Sequence, residues 1–338
     1  MSVATPESTV SKTIDFSLTP EQEAIRAAAR EFARGEIDPI VEQFDEAQEF
    51  PLDVFRALGE LGFLGVLVPE SLGGAGLGYV EYVLIIDEIS RVDPSIGLSV
   101  AAHNSLCTNH ILKFGTEAQH QRWIGPLARG EAIGAWALTE PGAGSDAGGT
   151  RTRAERVDGG WILNGSKTFI THASVGDVCV VMAVTDPEAR PRHDGISTFV
   201  VEKGMAGFRA GKKENKLGSR ASDTAEVVLE NCFVPEDSLL GEPGQGFRQA
   251  MEILDGGRIS IAALGLGTAI GAYETALDYA REREQFGRPI SAFQAIQFHL
   301  AEMVTRIAAS EALLMAAAET MDRGRPITRL AAEAKLAC

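Results

Sequence analysis

The stretch ALTEPGAGSDAGG, residues 137–149, holds the residue types best suited to gripping a ligand. An apolar run, IGAWAL (133–138), stops abruptly at Thr139, Glu140 and Pro141, and Gly142, Gly144, Gly148 and Gly149 follow closely. Glycine allows close backbone approach and unusual dihedrals, so exposed amides there can converge on an anion. The stretch is neither familiar phosphate loop. One would need a lysine after its last glycine, and the other should open a helix. Instead GTRTRAERVDGGWILNG (149–165) follows and alternates like another strand. On this segment alone, a plain β-turn is the competing reading. Two other groups carry charge at suggestive spacing. LDGGR (254–258) sets Asp255 three residues before Arg258, as a ligand contact or a salt bridge within a helix. Lys203, Arg209, Lys212, Lys213, Lys216 and Arg220 form a basic cluster, which either draws in phosphates or is a solvated hairpin edge.

Composition narrows the classes. The chain has 338 residues and a net charge of −16, which argues against nucleic acid or an anionic membrane as the main partner. The longest uncharged apolar-rich run, 259–273, is too short to cross a bilayer, so no membrane insertion is expected. The first dozen residues show no secretory signal or Arg-rich transit pattern. Cys107, Cys179, Cys232 and Cys338 are scattered without CxxC spacing, which fits a reduced, cytoplasmic setting. The histidines show no paired ligand spacing, and no metal is assigned.

Three blocks must position these groups. Residues 1–14 read as a disordered tail and 15–130 as an N-terminal helical domain. Within it Thr19-Pro20-Glu21-Gln22 reads as a capping box with a proline at the first helical position. Asp93-Pro94 opens another helix, and Thr116 with Gln119 caps a third. Residues 131–238 read as a middle β-domain with runs WILNGSKTFITHA, DVCVVMAVTD, GISTFVVEKG and TAEVVLENCFVP; Asn164-Gly165 is its strongest tight-turn signal. Residues 239–338 are helical again. A nearly continuous pattern over 246–283 predicts a helix that Gly256-Gly257 could bend. Gly265, Gly267 and Gly271 would let a neighbour approach it closely. Ser291 with Gln294 predicts a capping box for a helix to about Asp322, and a last helix starts near Thr328. The fold class is α+β: helices, a β-domain, and an incomplete C-terminal helical bundle.

Five separated motifs, in order, resemble the acyl-CoA dehydrogenase family. They are ALTEPGAGSDAG (137–148), WILNGSKTFIT (161–171), KENKLGSRASDT (213–224), LLGEPGQGF (239–247) and REREQFGRPI (281–290). The likeness runs from about Leu18 to the last residue and is nearest the short- or branched-chain type. It implies an FAD enzyme that oxidises an acyl-CoA thioester to the trans-2-enoyl-CoA and passes electrons to an electron-transferring flavoprotein. By the same resemblance, Trp136, Leu138 and Thr139 line the flavin ring, and Gly144 and Ser145 present donors near cofactor and substrate. Phe169 packs on the flavin where many relatives have tryptophan, with Ile170 and Thr171 beside it. Arg283, Gln285, Phe286 and Gln294 match positions that reach a neighbouring subunit's cofactor. Asp255 and Arg258 match positions near the CoA ester. A homo-oligomer is implied, with a tetramer favoured.

The family's base is usually a glutamate in a C-terminal segment that this sequence does not contain. A minority of relatives carry it at the residue before the LDGGR arginine, which here is Gly257. No catalytic base is therefore named. Leu330, Ala331, Ala334, Leu336 and Ala337 are still building an apolar face at the last residue without a Gly or Asn cap. A truncated product, a fragment or a subunit completed by another chain would each explain this. A non-catalytic or heteromeric binder of flavin or CoA ester thus stands as the alternative. A third reading is a flavin enzyme of this fold with other chemistry, such as nitroalkane oxidation or hydroxylation.

Overall fold

A computed structural model describes residues 17–338; the disordered tail predicted for 1–14 lies outside the described residues. The first block is helical: α1 (Pro20–Phe32), α2 (Val41–Ala47), α3 (Leu52–Glu60), α4 (Tyr79–Val92), α5 (Pro94–Ala101), α6 (Asn109–Phe114), α7 (Glu117–Gln119) and α8 (Gly125–Ala128). The predicted caps form. Thr19 and Gln22 close a capping box on α1, the Asp93 side chain accepts from the Ser95 amide, and Thr116 and Gln119 close a second box. Each satisfies amide groups that a helix start leaves without partners.

The middle block is a mixed sheet of β1 (Gly134–Ala137), β2 (Arg153–Val157), β3 (Gly160–Thr171), β4 (Val178–Val184), β5 (Ile196–Glu202), β6 (Phe208–Lys213), β7 (Thr224–Pro235) and β8 (Leu239–Leu240). Its order is β6-β7-β3-β2-β4-β5-β8, with β1 parallel to β4. Both faces of β4 are buried. Cys179, Val181 and Ala183 pack with Trp161, Phe199 and Val227, whereas Val178, Val180 and Met182 pack against Ile111, Trp123 and Leu127 from the helices. That explains why DVCVVMAVTD shows no alternation.

Asn164-Gly165 is not the turn its composition suggests. β3 runs straight through it with a bulge, while β2 and β3 join at Asp158-Gly159, where Gly159 takes φ +77°. Gly165 is needed for space: a Cβ there would lie 2.6 Å from Thr152 Oγ1. The Asn164 side chain is occupied in accepting the Asn231 amide at 2.7 Å. A second bulge falls between Lys167 and Ile170, and it contains Phe169 at φ +58°.

The third block opens with α9 (Gly246–Glu282), which passes unbroken through Gly256-Gly257. The β9 (Glu284–Gln285) and β10 (Arg288–Pro289) hairpin, α10 (Gln294–Asp322) and α11 (Thr328–Ala337) follow. The box predicted at Ser291 does not form. Ser291 lies in a short 3-10 turn and gives its carbonyl to Gln297 Nε2, so α10 starts behind Phe293 without a side-chain cap. By length and hydropathy α9 could cross a membrane, but it is the core helix of the molecule, packed against α4, α5, α10 and α11. On α11, Ala331 and Ala334 are buried, whereas Leu336 faces outward.

α4 lies between α1 and α9 and is buried along nearly its whole length. The predicted glycine contacts are its seat. A Cβ on Gly267 would stand 2.3 Å from the Asp87 carbonyl oxygen, and one on Gly271 2.2 Å from that of Arg91. Backbone meets backbone, with no flexible side chain to give way. Ion pairs bind α4 on both sides: Glu88 holds Arg26 and Arg30 of α1, and Arg91, paired with Asp87 in its own helix, reaches Glu274 of α9 at 3.7 Å. At the other end, the Asp322 carboxylate accepts the Tyr79 and Val80 amides at 2.6 and 3.1 Å, so α10 caps α4.

This packing predicts a sign reversal for a normally helpful substitution. Alanine gains about 1 kcal/mol over glycine in a helix, but overpacking against fixed backbone loses about 1–3 kcal/mol. Gly271→Ala is expected to lower the unfolding midpoint, by a net loss of up to about 2 kcal/mol. A raised midpoint in thermal or denaturant unfolding would show that α4 and α9 can part without penalty.

Candidate active site

A cavity of about 340 Å³ lies where α5, α9, α11 and the end of β3 meet. Its wall is mostly apolar, with Leu98, Ala102, Leu106, Leu254 and Ile261, and Thr171, Arg258 and Lys335 are its polar edge. The hydroxyls beside it are spent on the helices: Ser105 Oγ donates to the Ala101 carbonyl and Ser260 Oγ to that of Gly257. Arg258 pairs with Asp255, whose other oxygen accepts the Thr328 hydroxyl at 2.6 Å. Asp255 and Arg258 thus form an intrahelical bridge that also ties the cavity rim to α11. Among the described residues lining the cavity none is a carboxylate. Gly257 is on the wall, and a Cβ there would meet only Leu106 Cδ2, at 3.2 Å.

The glycine loop is bonded to β3, whose last residue, Thr171, lines the cavity. Its first turn is closed by paired bonds between Glu140 and Ala143, at 3.0 and 3.1 Å. Gly142 and Gly144 have nothing within 4 Å of where a Cβ would stand, and Ser145 is exposed. The loop is bound to β3 by the Thr168 amide, which donates to the Thr139 carbonyl at 2.9 Å. One residue on, the bulge turns the Phe169 ring outward to 65% exposure. A non-glycine residue in left-handed backbone costs about 1–3 kcal/mol and commonly marks a functional position, and bulges re-aim side chains beside active sites. An outward aromatic ring, a loop with open glycine faces and a threonine hydroxyl in the cavity wall suit a flat, polar-edged heterocycle.

The predicted residues do not all share this site. Leu138 and Ile170 send their side chains into the core, leaving only their main chain toward the loop. The Trp136 indole is committed inward: its N–H donates to His110 Nδ1 at 2.9 Å, so Nε2–H faces Gln249 Oε1 at 3.2 Å, and Gln249 donates to the Leu240 carbonyl. Arg283, Gln285, Phe286 and Gln294 are remote and exposed, Phe286 at 93%. Arg283 follows Gly257 by 26 residues along α9 and its cap, about 39 Å at helical rise. The basic cluster is largely paired: Lys203 faces Asp177, Arg209 faces Glu230, Lys213 the Gln48 carbonyl, and Arg220 the Asp45–Glu46 turn. It is a docked hairpin edge.

Sequence reading missed the buried polar groups that hold the site. Glu140 and Lys167 form a 2.8 Å ion pair at 6% and 0% exposure. Burial opposes both charges. For Glu140, the Lys167 ammonium and the Thr152 donors outweigh it and hold the carboxyl below its usual range. On β1, His103 Nδ1 accepts the Gly134 amide at 3.1 Å and its Nε2–H donates to the Leu127 carbonyl. His172 Nδ1–H donates to the Gly134 carbonyl at 2.9 Å. The accepting Nδ1 atoms of His103 and His110 require neutral rings, and burial pushes His103 down to about 3 and His110 to about 4. Partners 24 to 38 residues apart in sequence leave no local signal. Only Lys167, which follows the inward-facing Leu163 in β3, offered a hint.

Comparison with known proteins gives the family. Three family models match: Acyl-CoA dehydrogenase, N-terminal domain, over 19–131; middle domain over 135–232; and C-terminal domain over 244–338. An acyl-CoA dehydrogenase of Bacillus subtilis is 47% identical over 94% of this chain and 83% of its own length. The short-chain specific acyl-CoA dehydrogenase of Clostridium acetobutylicum is 44% identical over 96% of this chain and 85% of its own. A chain of a solved structure whose subject is the electron transferring flavoprotein of Acidaminococcus fermentans superposes with a TM-score of 0.93. It is 46% identical, covering 95% of this chain and 84% of that one.

The neutral histidines set a pH dependence. With folded values near 3 and 4 against an ordinary 6.5, the unfolded chain binds the proton first. Their contribution is complete above pH 6.5 and falls as pH drops from there toward 4, by up to about 1.4 kcal/mol per pH unit per ring. The ring resonances of His103 and His110 should stay at their neutral shifts from pH 8 to pH 5. An inflection near pH 6.5 in either would overturn the tautomers given above.

Proposed function

The chain belongs to the acyl-CoA dehydrogenase family, and we propose that the glycine loop, the Phe169 bulge and the α9 cavity together form its flavin and thioester site. It is an FAD-dependent acyl-CoA dehydrogenase that oxidises a short- or branched-chain acyl-CoA to the trans-2-enoyl-CoA, with electrons passing to an electron-transferring flavoprotein. The observation that carries the site assignment is a juxtaposition: the loop is bonded through Thr139 to Thr168, next to the Phe169–Thr171 strand end, both matching flavin positions by sequence, and Thr171 lines the cavity. When bound, FAD supplies the hydride acceptor; the protein's share is orientation and charge. Phe169 offers a face for the ring. Ser145 and Thr171 offer hydroxyls for its polar edge and for the thioester, and Gly144 leaves its amide approachable. Leu98, Leu106 and Ile261 give the acyl chain a dry wall, which strengthens any polarisation of the thioester carbonyl. Arg258, braced by Asp255, stands at the rim.

Arg283, Gln285, Phe286 and Gln294 fit this reading only in trans, at the cofactor of another subunit. The exposed Tyr279, Phe286 and Phe298 on the same distal part of α9, its hairpin and α10 give an oligomer, a tetramer by family, an apolar face to cover. The division at about residues 130 and 238 and a cytoplasmic setting belong to the same reading, the latter supported by four free cysteines.

One observation favours a second reading. α-Proton removal needs a base, and the cavity wall contains no carboxylate. A polypeptide of these 338 residues is then a binder of flavin and CoA ester whose base must come from elsewhere.

Two outcomes are expected. FAD should bind the purified protein, and Ser145→Ala with Thr171→Ala should weaken it; retention should fall on dilution toward monomer. A monomer in sedimentation that keeps its FAD would refute the trans contacts. In the second experiment, the 338-residue protein with FAD should exchange the butyryl-CoA α-proton no faster than buffer. Gly257→Glu, placed where only one side chain must yield, should raise exchange by about 10²–10⁴-fold. Rapid exchange by the unmodified protein would mean that a base exists which the cavity wall does not show.

A further inference from the structure

The Glu140–Lys167 pair stands outside every role given so far, and its bonds describe a clamp. Lys167 Nζ donates to the Leu138 carbonyl at 3.1 Å, where the loop begins, and to Glu140 Oε1 at 2.8 Å. Glu140 Oε1 also accepts the Thr152 amide at 2.9 Å and the Thr152 hydroxyl at 2.7 Å, and Oε2 accepts the Arg151 amide at 2.7 Å, where the loop ends. Both feet of the 138–152 loop are therefore gathered onto one carboxylate. That carboxylate is pinned by a lysine two residues before Phe169 and four before Thr171. The Phe169 bulge begins directly after Lys167.

A buried ion pair is a poor source of net stability, because desolvation of both ions offsets their attraction. It does impose geometry, since Glu140 accepts four donors whose positions cannot vary independently. Between the clamped feet, Gly142, Gly144 and Ser145 have no neighbouring side chains to hold them. The feet continue into β1 and β2, which pair with β4 and β3, but beside the clamp the loop meets the Phe169–Thr171 strand end through the Thr168–Thr139 main-chain bond.

We propose that Glu140 and Lys167 are positioning residues that set the glycine loop against the Phe169–Thr171 strand end, so that both faces of the cofactor site are pre-formed before flavin binds. The inference rests on the flavin reading above. Pre-formation reduces the ordering that binding must otherwise impose, so its loss is read in flavin affinity and in loop mobility rather than in fold stability alone.

The test uses the whole 338-residue protein, FAD titration by fluorescence quenching, and hydrogen exchange of peptides spanning 138–152 and 178–184. Lys167→Met is expected to weaken FAD at least tenfold and to speed exchange in 138–152, while β4 peptides keep their protection. Adding Glu140→Gln removes the second buried charge. A purely structural pair predicts that this double variant regains both melting temperature and FAD affinity; a positioning pair predicts recovery of melting temperature only. Should Lys167→Met fail to fold, Thr152→Val removes one donor while leaving both charges paired. It should still weaken FAD threefold or more with faster loop exchange. Wild-type affinity in a folded variant, whichever one it is, overturns the proposal. Failure of the wild-type protein to bind FAD at all would instead sink the flavin reading on which the proposal stands.

Discussion

The approach of α9 to α4 at backbone distance organises this molecule. With Gly267 and Gly271 set against the Asp87 and Arg91 carbonyls, the two helices touch without intervening side chains. A contact that close fixes their relative rotation, because any Cβ at either glycine would strike immovable main chain. From there α9 has one side for α10 and α11 and its N-terminal part for the cavity and the sheet. Gly257 and Arg258 reach the cavity because Gly267, ten residues later, is locked in place. The cavity is in this sense a consequence of packing elsewhere.

Around the site the decisive balance is between desolvation and pairing. Three histidines are buried, and burial drives each ring toward neutrality, which is the form that the accepting nitrogens of His103 and His110 require. His103 and His172 hold the two sides of the Gly134 peptide, and His110 holds the Trp136 indole, so β1 is fixed at both ends before the loop starts. For Glu140 the Lys167 countercharge outweighs the same desolvation, whereas burial still holds Lys167 below its ordinary value despite Glu140. Neutral rings hold the strand and a charged pair holds the loop. The exposed groups between them are left free to meet a ligand.

Local signals were legible where a residue answers only to its neighbours. The boxes at Thr19–Gln22 and Thr116–Gln119 and the Asp93-Pro94 start all depend on partners within three residues. The same kind of signal misled at Asn164-Gly165 and Ser291–Gln294. At the first, β7 pairs along both halves of β3 and outweighs the turn preference, and Thr152 leaves room only for glycine. At the second, the chain leaves the β9–β10 hairpin through a 3-10 turn that ends at Phe293, which takes the helix start away from Ser291. The motifs of the cofactor site were legible too, but not the direction of their side chains. Ile170 and Leu138 lie within matching motifs and still point into the core.

The sequence by itself determined the three-block order and the family, and it pointed to the glycine loop with its neighbouring aromatic strand as the proposed place for a ligand. It also showed Gly257 where a carboxylate could have stood. These follow from composition, periodicity and contiguous motifs, which need no knowledge of distant contacts. Only the tertiary structure decided that Asp255 also serves Thr328, that the basic cluster is a docked edge, and that Glu140 pairs with Lys167. The physical reason is common to all three. A charged group takes its role from the partners that share its desolvated surroundings, and those partners are brought together by the fold from far along the chain.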